Sequence, residues 1–285
     1  MQYLALSILC SSLIFVVFKL FVRYHVQTLY AIITNYVVAC LVGIFFYKGE
    51  VAITNLPTKS WFWGAMALGV LFILVFNLMA ATSQKLGVSV ASVATKMSFV
   101  LPAILGVVLY NEQLDAIKLL GIVIAILAVY LASMKQATGR FKMSMLLLPF
   151  LVFLGSGIID SAIKYFQEAH VPETEFALFS AVLFFFAGCS GLLFIGVTSF
   201  KEPLKFNARN ILGGIALGVP NFFSIYFLLI ALGYNGLSSA SIFTANNVGI
   251  VVLSTLLGIT LFKEKLSAKN WMGIGLAVLS IFLVL

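Results

Sequence analysis

The sequence predicts an all-α polytopic membrane protein of about ten transmembrane helices, built as two inverted-topology five-helix repeats. Three observations carry this expectation. Hydrophobic residues fill 62% of the 285 positions and charged residues only 9%, against about 25% charged in an ordinary soluble domain. Apolar runs of roughly 20 residues, the length a helix needs to cross a bilayer, recur along the chain and end in short polar clusters. Several blocks of the first half return in the same order in the second.

Reading the runs between charged breaks places the spans at 2–21, 28–47, 61–82, 87–110, 115–134, 144–165, 175–198, 210–232, 237–262 and 268–285. The first starts beside Met1 and reaches Lys19 without a small-residue cleavage site, so a retained helix is expected rather than a removable signal peptide. The second lies between His25 and Lys48, and the third between Lys59 and Lys85. The fourth opens at Gly87, carries Lys96 and Pro102, and stops at Asn111 and Glu112; the fifth runs from Asp115 to Lys135. The sixth holds Asp160 and Lys164, the seventh starts at Glu175, the eighth has Pro220 beside Asn221, and the ninth and tenth flank Lys263 and Lys265. Pro102 and Pro220 mark bends, since neighbouring helices can re-satisfy the backbone groups a proline frees in a membrane bundle.

KLFVRYHV at Lys19 to Val26 matches KYFQEAHV at Lys164 to Val171, and GAMALGV at Gly64 to Val70 matches GGIALGV at Gly213 to Val219. GVSVASVAT at Gly87 to Thr95 then matches GLSSASIFT at Gly236 to Thr244, and YNEQLDAIKLLGI at Tyr110 to Ile122 matches FKEKLSAKNWMGI at Phe262 to Ile274. The chain therefore reads as one five-span unit used twice, residues 1–138 and 139–285. Five passes leave the second copy upside down relative to the first, the arrangement that underlies alternating access in many secondary transporters.

The net charge of +8 comes from basic residues spread over short connections, with no run or stripe, so no nucleic-acid partner is expected. Taking positive charge as cytoplasmic, the connections holding Lys19, Arg23, Lys85, Lys135, Arg140, Lys142, Lys201, Lys205, Arg209, Lys263, Lys265 and Lys269 face inward, which puts both termini outside. Cys10, Cys40 and Cys189 lie in apolar spans without metal-ligand spacing, so neither a disulfide framework nor a metal site is expected, and no cofactor. The absence of a GxxxxGK[ST] loop argues against ATP-driven pumping by this chain.

The block YNEQLDAIKLLGIVIAILAVYLAS, preceded by VASVATKMSFVLPAILGVVL, resembles the EamA domain of the drug/metabolite transporter superfamily. Pro102, Glu112, Leu114 and Gly121 fit that pattern, as do Glu264, Leu266 and Gly273 in the second copy. Asn111 and Lys263 replace its usual glycine, and Ser254 stands where a second proline is expected. The resemblance implies a central cavity surrounded by the third, fourth, eighth and ninth helices with the first and sixth. It also implies cytoplasmic termini, against the charge count, and it names no substrate.

Lys96 is the first candidate for binding chemistry, because it lies about 12 Å along the helix from Val88 and about 21 Å from Tyr110. A central Lys costs about 2.5–3.5 kcal/mol on insertion scales, a cost retained where the side chain faces a polar cavity or counter-ion. Asp160 is the carboxylate set well inside a span, with Lys164 at i+4. It is expected either to pair locally or to pair with Lys96 across the bundle and release it to an anionic group, making Asp160 and Lys96 candidates for proton coupling as well. Asn77, Asn221, Asn246 and Asn247, and Tyr226 at the position equivalent to Asn77, complete the expected binding set; each amide could instead join helices by hydrogen bonds.

These readings predict a secondary transporter for a small polar metabolite, amino-acid-like or organic-acid-like. The alternatives are an exporter of amphipathic drugs or lipid-linked compounds, to which the 27 Phe would be suited, and an intramembrane enzyme. The enzyme is disfavoured because the spans supply no convergent acid, base or metal set. The expected partners are a small-molecule substrate and the lipid bilayer. The expected location is a bacterial cytoplasmic membrane. A monomer is preferred, because one pair of repeats can enclose a cavity, while the glycines leave room for a dimer.

Overall fold

The computed structural model describes residues 2–47, 49, 53–110, 116–134, 144–199, 207–232 and 239–284. Its helices are α1 (Gln2–Arg23), α2 (Thr28–Phe46), α3 (Phe62–Leu86), α4 (Val88–Lys96), α5 (Val100–Tyr110), α6 (Ala116–Ala132), α7 (Ser144–Ala169), α8 (Phe176–Ser199), α9 (Ala208–Leu232), α10 (Ser239–Phe262) and α11 (Ala268–Val284). Eight helical stretches are long and apolar enough to cross a membrane, and α6 and α11 are shorter apolar helices of 17 residues each. Seventeen residues rise about 26 Å, the lower limit for a span. The protein is an integral membrane protein of about ten spans, and among the described residues α4 and α5 together form the fourth.

That fourth span departs from the continuous helix expected over 87–110. A single 3-10 turn, Met97–Phe99, separates α4 from α5. The cause lies in the sequence: Pro102 has no amide hydrogen to give to the carbonyl four residues earlier, at Ser98, and its ring crowds that turn. The matching α10 has Ser254 in place of the proline and runs unbroken from Ser239 to Phe262.

The repeat seen in the sequence is visible in the packing. Matched helices are α1 with α7, α2 with α8, α3 with α9, α4–α5 with α10, and α6 with α11. The halves meet through α2 on α9 and α3 on α8, through α1 on α9 and α3 on α7, and through α1 on α10 and α4–α5 on α7. Each of these contacts has its exchanged counterpart, while α2–α8, α4–α10 and α6–α11 pack copy against copy. A twofold axis between inverted repeats produces this pattern.

Local details follow the same symmetry. The matched blocks after α1 and in α7 close with the same backbone bond, Val26 N to Phe21 O and Val171 N to Phe166 O, both 2.9 Å. A methyl group at Gly69 would lie 2.7 Å from the Ala187 nitrogen, and one at the equivalent Gly218 would lie 2.9 Å from Val38 Cβ. Small residues here let α3 approach α8 and let α9 approach α2. The core between these helices is largely aromatic: Phe18, Phe76, Tyr36 and Phe184 form a chain with ring centroids 5.8, 5.5 and 5.9 Å apart.

Two polar joints tie the halves at opposite membrane faces. On the basic face, the residue before α2, Gln27, gives its amide hydrogen to Asn210 Oδ1 at 2.8 Å, and Asn210 Nδ2 returns a bond to Gln27 Oε1 at 3.1 Å. On the other face, the residue before α8, Glu175, accepts from Lys59 Nζ at 2.6 Å and from Trp61 Nε1 at 2.9 Å. Asn210 and Trp61 occupy equivalent positions of the two repeats. Glu175 therefore lies in the turn just ahead of the seventh span, outside it.

Glu264 follows α10 and caps α4, accepting from the amides of Val88 at 2.7 Å and Ser89 at 3.4 Å and from Ser89 Oγ at 3.0 Å. Glu264 is thus a structural acceptor at the start of α4. Its counterpart Glu112 lies outside the described residues. Ser267 begins the last helix: its hydroxyl accepts the Asn270 amide at 3.2 Å, while Asn270 Nδ2 crosses to the carbonyls of Ala132 at 2.8 Å and Met134 at 2.6 Å.

Candidate functional site

Lys96 is the last residue of α4, directly before the break, and is half-buried. Among the described residues its ammonium group makes neither a hydrogen bond nor an ion pair. The break places Ser98 toward α7, where its hydroxyl reaches Asp160 Oδ2 at 2.8 Å and Thr95 O at 2.6 Å. Lys96 and Asp160 act on each other electrostatically without forming a direct ion pair. Asp160 keeps accessible surface on α7, within the membrane-spanning stretch Leu146–Ile163. The Lys164 side chain, the expected local partner of Asp160, lies outside the description.

The predicted amides divide into two groups. Asn77 is half-buried on α3 and gives its Nδ2 to Ile73 O of its own helix at 2.7 Å. Asn221 is buried and gives Nδ2 to Asn35 Oδ1 at 3.1 Å, which ties α9 to α2. Asn246 is buried and shares the Ser7 hydroxyl with the Ser224 carbonyl, at 3.1 and 2.8 Å, which joins α10, α1 and α9. Asn247 is half-buried, with no hydrogen-bond partner among the described residues. Tyr226 stacks in a cluster of rings with Phe46 at 5.1 Å and Phe222 at 5.8 Å.

The structure thus brings Lys96, Ser98 and Asp160 together where α4 meets α7, with Asn246 and Asn247 on α10, which packs against α4. Asn77 and Asn221 are engaged elsewhere by their own bonds. Sequence reasoning missed Ser98, Asn35 and Ser7. Ser98 could have been found from the proline four residues on, whereas Ser7 and Asn35 depend on which faces meet and left no local signal. Buried hydroxyls of Ser12 on α1, Ser156 on α7 and Thr255 on α10 have no partner among the described residues. Such groups are costly unless something pairs with them.

An apolar cavity of about 400 Å³ opens elsewhere, between α6 and α7, lined in part by Val129, Tyr130, Leu146 and Phe153. It holds no charged group, and the Ser133 hydroxyl is spent on Val129 O at 2.6 Å. Ile126, Leu147 and Phe150 at its edge are exposed, which places it on the lipid side of the bundle.

Comparison with known proteins gives three findings. The EamA-like transporter family matches this chain over residues 1–134 and 143–285. A protein of Haemophilus influenzae, described as uncharacterized, is 28% identical over 295 residues, covering 99% of this chain and 97% of its own length. One solved crystal structure superimposes with a TM-score of 0.58 at 17% identity over 98% of this chain and 97% of that one, a likeness of fold.

Proposed function

Because this chain belongs to the EamA-like transporter family and is a membrane transporter, we propose that it is a secondary transporter that binds a small polar, carboxylate-bearing metabolite between its halves. Amino acids and organic acids are the classes in view, and a bacterial cytoplasmic membrane is the setting. One observation carries the reading: Lys96 lies deep in a span at a helix break, and its ammonium group makes neither a hydrogen bond nor an ion pair among the described residues. An ammonium group in that position is retained at a cost that binding an anionic group offsets. Asn247 and the buried hydroxyls of Ser12, Ser156 and Thr255, on helices of the same bundle, have no hydrogen-bond partner among the described residues and are further candidates for polar contacts.

The geometry at Asp160 supports proton coupling. Ser98 has one hydroxyl hydrogen and two acceptors, Thr95 O and Asp160 Oδ2. When Asp160 is ionised, only one acceptor can be served at a time. When Asp160 is protonated it donates to Ser98 Oγ, Ser98 donates to Thr95 O, and every group is satisfied. The site thus has one arrangement for each protonation state, which is what coupling requires. The two halves enclose the site within one chain, so the transporting unit is the monomer, with residues 1–138 and 139–285 as its two repeats.

The test is a thermal-shift screen of the purified protein against amino acids, organic acids, sugars and phosphorylated metabolites, run beside Lys96→Met. The expected result is a ligand that stabilises wild type and leaves the folded mutant unchanged. A ligand that stabilises both equally would remove Lys96 from the site. If apolar compounds alone stabilise the protein, the second reading takes over: an amphipathic cargo resting on the Phe46, Phe222 and Tyr226 rings.

A further inference from the structure

The two joints that tie the halves are equivalent by the internal symmetry but differ in chemistry. At the basic face the joint is neutral, one amide on another, Gln27 with Asn210. At the opposite face it is charged, Glu175 with Lys59 and with the indole of Trp61. Trp61 is 1% exposed and Glu175 is 7% exposed, so this carboxylate is bonded where little water can compete. Between the joints, α3 packs on α8 and α9 on α2, with close approaches at Gly69 and Gly218.

We propose that Glu175, Lys59 and Trp61 form a lock that holds the face opposite the basic one closed at rest, so that the resting transporter opens on the side of the Gln27–Asn210 joint. This rests on the alternating-access reading. Hydrogen bonds to a charged group are stronger than those between neutral amides, and rocking the halves apart at either face breaks that face's joint. The unequal strengths bias which joint opens. Two copies of one unit, left identical, would show no such preference.

Lys59 is the charged group that acts on Glu175. Glu173 lies in the same turn, and His170, at the end of α7, meets the Tyr165 hydroxyl at 3.3 Å. Burial pushes the Glu175 carboxyl up, but the Lys59 and Trp61 hydrogen bonds and the Lys59 charge outweigh it and hold it below the usual glutamate range. The lock is therefore fully formed above that range and is lost as pH falls through the lowered value.

The experiment uses the full chain in lipid nanodiscs, with Cys10, Cys40 and Cys189 replaced and nitroxide pairs placed across each joint: Thr58→Cys with Thr174→Cys at the charged one, Tyr24→Cys with Arg209→Cys at the neutral one. Wild type is expected to show a short distance across the charged joint. Glu175→Gln and Lys59→Met should raise the long-distance population roughly tenfold, while Lys59→Arg keeps the wild-type distribution. Acidifying wild type below the glutamate range should reproduce the effect without a mutation. An unchanged distribution in folded Glu175→Gln, or the same acid response in that variant as in wild type, overturns the lock. Opening of the charged joint while the neutral pair stays put would uphold the lock and overturn the rocking motion assumed with it.

Discussion

Ser98 and Asp160, from opposite halves of the chain, meet at 2.8 Å at the point where the fourth span breaks. Thr95 O competes for the same hydroxyl hydrogen at 2.6 Å, so the charge state of Asp160 decides where that hydrogen goes. Replacing Asp160 by Asn imitates the protonated form, because the amide can donate to Ser98 Oγ. Asp160→Asn should keep its melting temperature while its transport rate becomes independent of pH over the range in which wild type varies. The pH profile of uptake into proteoliposomes reads this directly, and an unchanged profile would remove Asp160 from coupling.

Ser98→Ala has a different expected outcome. It leaves the enclosed carboxylate without its hydrogen-bond donor, which costs about 1–3 kcal/mol. A lowered midpoint in denaturant titration should result, with the loss absent when Asp160→Asn is combined with it.

Lys96→Met removes the unpaired ammonium and keeps an unbranched side chain of similar length. Since a mid-membrane Lys costs about 2.5–3.5 kcal/mol on insertion scales, the variant should melt at or above the wild-type temperature while substrate uptake falls to background. A variant that melts lower and still transports would show that Lys96 is part of the framework.

Glu264 caps the start of α4, and Gly87 before it has φ +117°, a backbone geometry that side-chain-bearing residues rarely adopt. Glu264→Ala should cost about 0.5–2 kcal/mol, the range for losing a helix cap. Gly87→Ala should cost more than a cap, because its new methyl would also meet the Glu264 carboxylate at 2.8 Å. Thermal unfolding in detergent measures both, and Gly87→Ala should have the lower midpoint.

Gly218→Val places a branched side chain where a single methyl would already lie 3.0 Å from Asn35 O. Overpacking of this kind costs about 1–3 kcal/mol. Loss of stability without any change in ligand preference is expected, since α9 would be pushed off α2 rather than out of the centre.

Much of this architecture was legible in the amino acids. The spans follow from hydropathy, which must be continuous over a membrane crossing, and the twofold packing follows from matched blocks such as those around Gly64 and Gly213. What the sequence did not show was pairing between distant faces. Asn221 reads as a binding group in isolation, yet it spends its amide on Asn35, 186 positions away. Ser7 lacks any local signature and becomes visible only when α1 is laid against α10. Lys96 stands out in the sequence because a lone charge in an apolar run is costly wherever it points, whereas the role of an amide depends on its neighbours.

The break at Met97–Phe99 has no twin in α10, and this bears on how such a molecule can change over generations. A duplicated unit begins with every feature doubled, so any substitution at a mirrored position answers to two neighbourhoods. With the interruption confined to one copy, the unbroken copy keeps the scaffold upright while the broken one is free to acquire new side chains around Lys96. A substitution beside that break therefore alters one half of the bundle and leaves its mirror helix as it was.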